Sequence, residues 1–163
     1  MRNYYLATAS NSIQGSKAMT NEHYAYILMV DEKYWNRLRR HNAAQAGTHV
    51  FIRKNQVAPK EADQLLFYVT RKKQVLGAAD FLERITGNYE DLWKKLGGES
   101  CFESFEEYQS FAGGREMMTF IRFSNFREIA NPKSKEEVSK ILGSLRGFGA
   151  GHYFDKETAM QLV

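Results

Sequence analysis

The chain is poor in the residues that announce most chemistry. It has a single cysteine, Cys101, in 163 residues, which excludes an intrachain disulfide and any cysteine-built zinc cluster. A lone thiol is by default a small packing residue. The four histidines, His23, His41, His49 and His152, show no HExxH or other metal-ligand spacing. Nothing in the sequence therefore calls for a metal or any other cofactor. The two prolines, Pro59 and Pro132, begin no Pro-rich linker. No apolar run approaches the ~20 residues of a membrane-spanning helix; the longest, at 24–30, is strand-length. The opening MRNYYLATASNSIQGSKAMTN lacks the unbroken apolar stretch of a secretory signal, so the expected location is cytoplasmic, away from a membrane. No nucleophile paired with a base is legible either, and the reading leans away from an enzyme.

What is present suits one packed domain. Hydrophobic residues make up 43% and aromatics 13%, enough to offset the ordering entropy of a chain this long. Residues 1–22 are polar and without period, an extension or loosely held arm; 23–163 form the domain. The net charge of +4 hides two unlike parts. Residues 31–60 carry Lys33, Arg37, Arg39, Arg40, Arg53, Lys54 and Lys60 against Asp31 and Glu32. Residues 88–116 carry Glu90, Asp91, Glu99, Glu103, Glu106, Glu107 and Glu116 against Lys94, Lys95 and Arg115. A basic segment and an acidic one follow each other along the chain.

Strands are expected at 24–30, 49–54, 64–70, 74–81 and 117–129. The RKK at 71–73 reads as the tip of a hairpin, and Gly77 as a bulge or a close backbone approach. In a regular final strand, Phe120, Arg122, Ser124 and Phe126 would share one face. Asp31 can cap a helix whose apolar side is Tyr34, Trp35 and Leu38. Asn88 with a Gly97 stop, Ser104 with Glu107, Ser134 with Glu137, and Asp155 mark further helix starts. The helices within about 88–116 form an acidic insertion that decorates the sheet.

Four segments carry a family likeness: Gly47-Thr-His-Val-Phe-Ile-Arg-Lys54, Ala62-Asp63 with 65–69, Val75-Leu-Gly77, and Arg146-Gly-Phe-Gly-Ala-Gly-His-Tyr153. Their order over about residues 23–163 resembles the PUA-like superfamily of PUA, ASCH and EVE domains, closest to an archaeal branch of it. The resemblance implies an α+β fold: a small mixed, mostly antiparallel pseudo-β-barrel with peripheral helices and a helical insertion. It also implies a cleft that binds RNA or a modified nucleobase. Some ASCH members are amidohydrolases with a lysine two residues after the motif glycine. His49 stands there in this chain, so that lysine does not carry over.

The candidate ligand-binding residues follow from charge and loop chemistry. Arg53, Lys54, Arg71 and Lys72 can bracket a phosphate backbone. In the loop 146–151, alternating glycines including Gly149 let backbone N–H groups approach an anion, with Arg146 to hold it and Phe148 to stack on a base. His49 can meet a base edge and Trp35 can stack, although Trp35 also has the spacing of a core residue. His152 and Tyr153 are expected to point along a strand into the core. Three functions stay open: an RNA or modified-nucleotide binding module, a small hydrolase of modified nucleosides using Asp80 or Glu83, and a protein-interaction domain docking through 88–116.

Overall fold

A computed structural model describes residues 21–143 and 151–163. A short 3-10 turn at Asn21–His23 leads into strand β1 (Ala25–Val30), helix α1 (Glu32–Ala44), β2 (His49–Arg53), β3 (Gln64–Val69) and β4 (Gln74–Asn88). Helices α2 (Tyr89–Leu96) and α3 (Phe105–Ala112) precede β5 (Met117–Glu128). Then come α4 (Lys135–Leu142), β6 (Gly151–Phe154) and α5 (Lys156–Leu162). One six-stranded sheet runs β2-β5-β4-β3-β1-β6. Only β1 and β3 are parallel; every other neighbouring pair is antiparallel.

The expected pseudo-barrel is corrected in one respect. Among the described residues no ladder joins β2 to β6, so the sheet they form keeps two edges and is not closed into a barrel. It is nevertheless bent by three register shifts along β4, one against β3 and two against β5. Each shift inserts a residue on one side of the ladder and increases the local twist. The shift at Phe67/Tyr68 falls beside Gly77. A Cβ on Gly77 would come within 2.6 Å of the Trp35 ring, so both expectations for this glycine hold together. β4 also runs to Asn88 rather than ending at Phe81, because β5 pairs with it along its whole second half.

The parity of β5 changes midway. Asn125 takes φ 53°, in the left-handed region that a regular strand avoids. Phe126 therefore joins Ile121 and Phe123 in the core beneath α1, while Phe120 packs on the opposite side. The expected single face of Phe120, Arg122, Ser124 and Phe126 does not form.

Hydrophobic clusters lie on both sides of the sheet. On the α1 side, Trp35 and Leu38 pack with Tyr26, Leu28, Phe67, Phe123 and Phe126. On the other, Val138, Leu142, Ala159 and Leu162 from α4 and α5 cover Ile27, Leu66 and Val75. The third cluster joins α2 and α3 to β2 and β5 through Leu92, Tyr108, Val50, Ile52 and Phe120. The helical insertion is thus a core layer, not a decoration. Helix starts follow local chemistry: Asp31, Asn88, Ser104, Ser134 and Asp155 each accept a backbone N–H in the first turn. Ser134 and Glu137 complete a reciprocal capping box. Among the described residues, no helix is long and apolar enough to cross a membrane.

Candidate functional site

Three strands separate β1 from β2 in the sheet order, yet side chains from both line the same cavities. The bent sheet brings these strands face to face across an open seam. Arg53, at the end of β2, donates to the hydroxyl of Tyr26, near the start of β1, at 3.2 Å. Further along, Phe51 and Ile52 line one cavity together with Met29.

Four cavities follow this seam and share walls. The first, about 320 Å³, is lined by Asp31, Lys33, Tyr34, Arg37, Cys101, Phe102, Glu107 and Phe111. The second, about 160 Å³, shares Tyr34, Phe102 and Phe111 with it and reaches Met29, Phe51 and Ser100. The third, about 200 Å³, runs from Met29 and Phe51 to Arg53, Lys54 and Gln56. Beyond Gln56 lies an open cleft of about 540 Å³ between His23, Tyr26, Gly151 and Tyr153. The result is a groove walled by β1 and α1 on one side and by β2, α3 and the segment before α3 on the other.

Its charged groups are unequally free. Arg37 on α1 forks onto Glu107 of α3 at 2.9 and 2.7 Å and lies 3.5 Å from Glu103. The hydrogen bond from Arg37 holds the Glu107 carboxyl below the usual carboxylate range, reinforced by the Glu103 backbone N–H. Arg53 is 5% exposed and committed to Tyr26, the Ala58 carbonyl and Gln56. Lys54 is exposed, with Nζ 4.8 Å above the Phe111 ring and 3.3 Å from the Phe111 carbonyl. Lys33 is exposed at the rim of the first cavity. Among the lining residues of these cavities, the two lysines are the exposed cations.

The buried polar groups of the wall differ in the same way. Burial pushes the Cys101 thiol up to about 12, with nearby Arg37 opposing, so it stays protonated and unreactive. The Tyr34 hydroxyl is buried without a hydrogen-bond partner; the Cys101 thiol lies beside it but outside hydrogen-bonding geometry. An unpaired buried hydroxyl costs about 1–3 kcal/mol. Burial raises the Tyr34 pKa well above 10, with Cys101 and Asp31 adding to it, so the group is a neutral O–H.

The sequence candidates divide sharply. Arg53 and Lys54 lie together on the seam. Arg71 and Lys72 sit at the other end, 4.0 and 3.6 Å from Glu32, at the same end of α1 as Asp31 and Lys33. Trp35 is buried in the core against Phe67 and Phe126. His49 is fully buried, with Nε2 3.0 Å from Asn42 Oδ1 and Nδ1 2.9 Å from His41 Nδ1. Since an amide oxygen only accepts, His49 carries its proton on Nε2 and accepts from His41. Burial lowers its pKa, His41 lowers it further and Glu99 opposes. Both its nitrogens are thus satisfied within the fold. Arg146, Phe148 and Gly149 lie outside the described residues. His152 is exposed and does not point into the core as expected, whereas Tyr153 packs against the α1-side core cluster, stacks on His23 at 4.1 Å and accepts the Lys60 N–H at its hydroxyl.

Tyr34, Phe102 and Phe111 were not among those candidates. Tyr34 carries the apolar helical spacing of its neighbours, and Phe102 and Phe111 belong to an insertion read as peripheral. Only the encounter of β1 with β2 turns these residues into walls of one groove. The carboxylates proposed as hydrolytic bases are engaged: Asp80 with Arg127 and Asn125, Glu83 with Arg122 at 2.6 Å. In the acidic insertion, Glu99, Glu103 and Glu107 bind Arg122 and Arg37, whereas Glu90, Asp91, Glu106 and Glu116 face solvent.

No family model matches the chain, and no curated protein matches it in sequence. Solved structures do match in shape. The ASCH protein of Zymomonas mobilis superposes with a TM-score of 0.69 at 18% identity, over 86% of this chain and 93% of that one. Two point variants of that protein give 0.70 at 19% identity, over 86% and 94%, and 0.69 at 18%, over 84% and 94%. At such identity the likeness is one of fold alone: the chain shares the mixed α+β fold of that ASCH protein.

Proposed function

We propose that this chain binds RNA or a modified nucleotide in the seam groove. The observation that carries the reading is the combination of four half-buried rings, Tyr34, Phe51, Phe102 and Phe111, with exposed Lys33 and Lys54 along one groove. Single-strand binding combines cations that track a phosphate backbone with aromatic faces on which bases stack. The ASCH architecture is compatible with this use, and the Arg71–Lys72 turn extends the positive rim past the α1 end. Affinity with an archaeal branch of the superfamily is proposed on sequence pattern alone.

Fluorescence anisotropy with labelled single-stranded RNA over a salt series tests the proposal. Binding should be micromolar or tighter at low salt and weaken steeply as salt rises. The double variant Lys33→Ala/Lys54→Ala should bind at least about tenfold more weakly, and the slope of log affinity against log salt should shrink by about 1.4. Lys140→Ala, on α4 behind the sheet, should change neither. Absence of binding at low salt ends this reading.

A further inference from the structure

We infer that the Tyr34 hydroxyl is the group that reads the ligand: the first cavity takes a flat heteroaromatic ring of nucleobase size, and Tyr34 hydrogen-bonds its edge. The inference deepens the RNA or nucleotide reading above and rests on it.

Among the described residues, the Tyr34 oxygen is the one buried side-chain polar atom without a partner. Its neighbours are engaged elsewhere or are weak partners. Asp31 accepts the Tyr34 N–H as the cap of α1, and Ser100 Oγ accepts the Phe102 N–H. Arg37 is held by Glu107, and the neighbouring Cys101 thiol offers Tyr34 only a weak sulfur contact that falls short of hydrogen-bonding geometry. Buried polar groups in folded chains are nearly always paired, so an exception on a residue that walls a cavity marks a place where a partner arrives. The cavity has the composition for a flat partner. Phe102 and Phe111 form one wall, and Phe51 stands edge-on to the Tyr34 ring at 4.8 Å.

The hydroxyl offers one donor and an acceptor, so it can donate to a ring nitrogen or carbonyl, or accept from an exocyclic amine. A base lacking the matching group would enter and leave the hydroxyl unpaired, which is the condition under which a site discriminates. Because Tyr34 stays protonated far above neutrality, the preference should be constant between about pH 6 and pH 9.

The test uses short labelled homopolymers of single-stranded RNA, one for each base, with wild type and Tyr34→Phe. Wild type should prefer one base by about tenfold or more. Tyr34→Phe should weaken that base about tenfold and compress the four affinities to within about threefold, with the salt slope unchanged. The free variant should unfold at the same denaturant concentration as wild type or higher, since it loses an unpaired hydroxyl. A readout needing no variant is the monophosphate of the preferred base against its analogue stripped of the edge group, where wild type should lose the same tenfold. A base preference that survives Tyr34→Phe overturns the inference. So does salt-dependent binding with no base preference in wild type, and in both cases the groove keeps its proposed role. No binding to any probe removes both.

Discussion

Two aromatic regions of this molecule share a composition and differ in every other respect. Behind β2 and β5, Tyr108 is fully buried, stacks on Trp93 at 4.9 Å and donates its hydroxyl to the Tyr89 carbonyl at 2.8 Å. Across the sheet, Tyr34 meets Phe51 edge-on, borders two cavities and donates to nothing. Ring count does not separate a core from a site; paired hydroxyls and filled space do. The first region is finished as it stands, and the second lacks a partner.

The largest effects should fall on the finished side. Tyr108→Ala should cost about 3–5 kcal/mol in urea unfolding, as truncation of a packed aromatic does. Phe111→Ala, at a cavity wall, should cost less than half of that. Equal costs would erase the distinction.

Glycines beside the same stack sharpen it. A Cβ on Gly97 would lie 2.6 Å from the Trp93 ring, whereas one on Gly98 meets nothing within 4 Å. Gly97→Ala should therefore cost about 1–3 kcal/mol by overpacking, and Gly98→Ala no more than about 0.5 kcal/mol. Thermal unfolding of the pair reads the difference directly.

Arg37 and Glu107 tie the two regions together, α1 to α3. The Glu107 pKa is lowered in the fold, so its contribution is present above the ordinary glutamate value near 4.3 and is lost as pH falls through the lower folded value. Glu107→Gln should remove that part of the acid dependence and cost no more than about 1 kcal/mol at neutral pH. Urea midpoints measured from pH 7 downward would show it; parallel curves for wild type and variant would mean that the pair does not hold the groove wall.

The smallest contrast is the most direct. Tyr108→Phe removes a made hydrogen bond and should cost about 1 kcal/mol. Tyr34→Phe removes an unmade one and should be neutral or slightly stabilising. A reversal of that order would break the comparison.

How much of this could be read beforehand depended on range. The caps Asp31, Asn88, Ser104, Ser134 and Asp155 act on backbone two or three residues away, and the sequence announces each of them. The strands that pair did so where apolar runs and the 71–73 turn placed them. What escaped was non-local or conformational. The parity of Phe126 turns on one left-handed residue, Asn125, which no alternation pattern reveals. The second half of β4, with Glu83 and Arg84, resembles a polar loop until β5 lies beside it. The site suffered most. Arg53 and Lys54 were visible as charge, but whether a cation is free or engaged depends on Tyr26, Gln56 and Phe111, distant in sequence or unremarkable in type.

Gly151 governs a distance it does not itself span. Any side chain there would collide with the Tyr26 ring and hydroxyl, approaching to 2.4 Å. Displacing that ring would withdraw the oxygen that anchors Arg53 from the facing strand. The width of the opening between β1 and β2 is thereby set from β6, on the far flank of β1, by the absence of a methyl group.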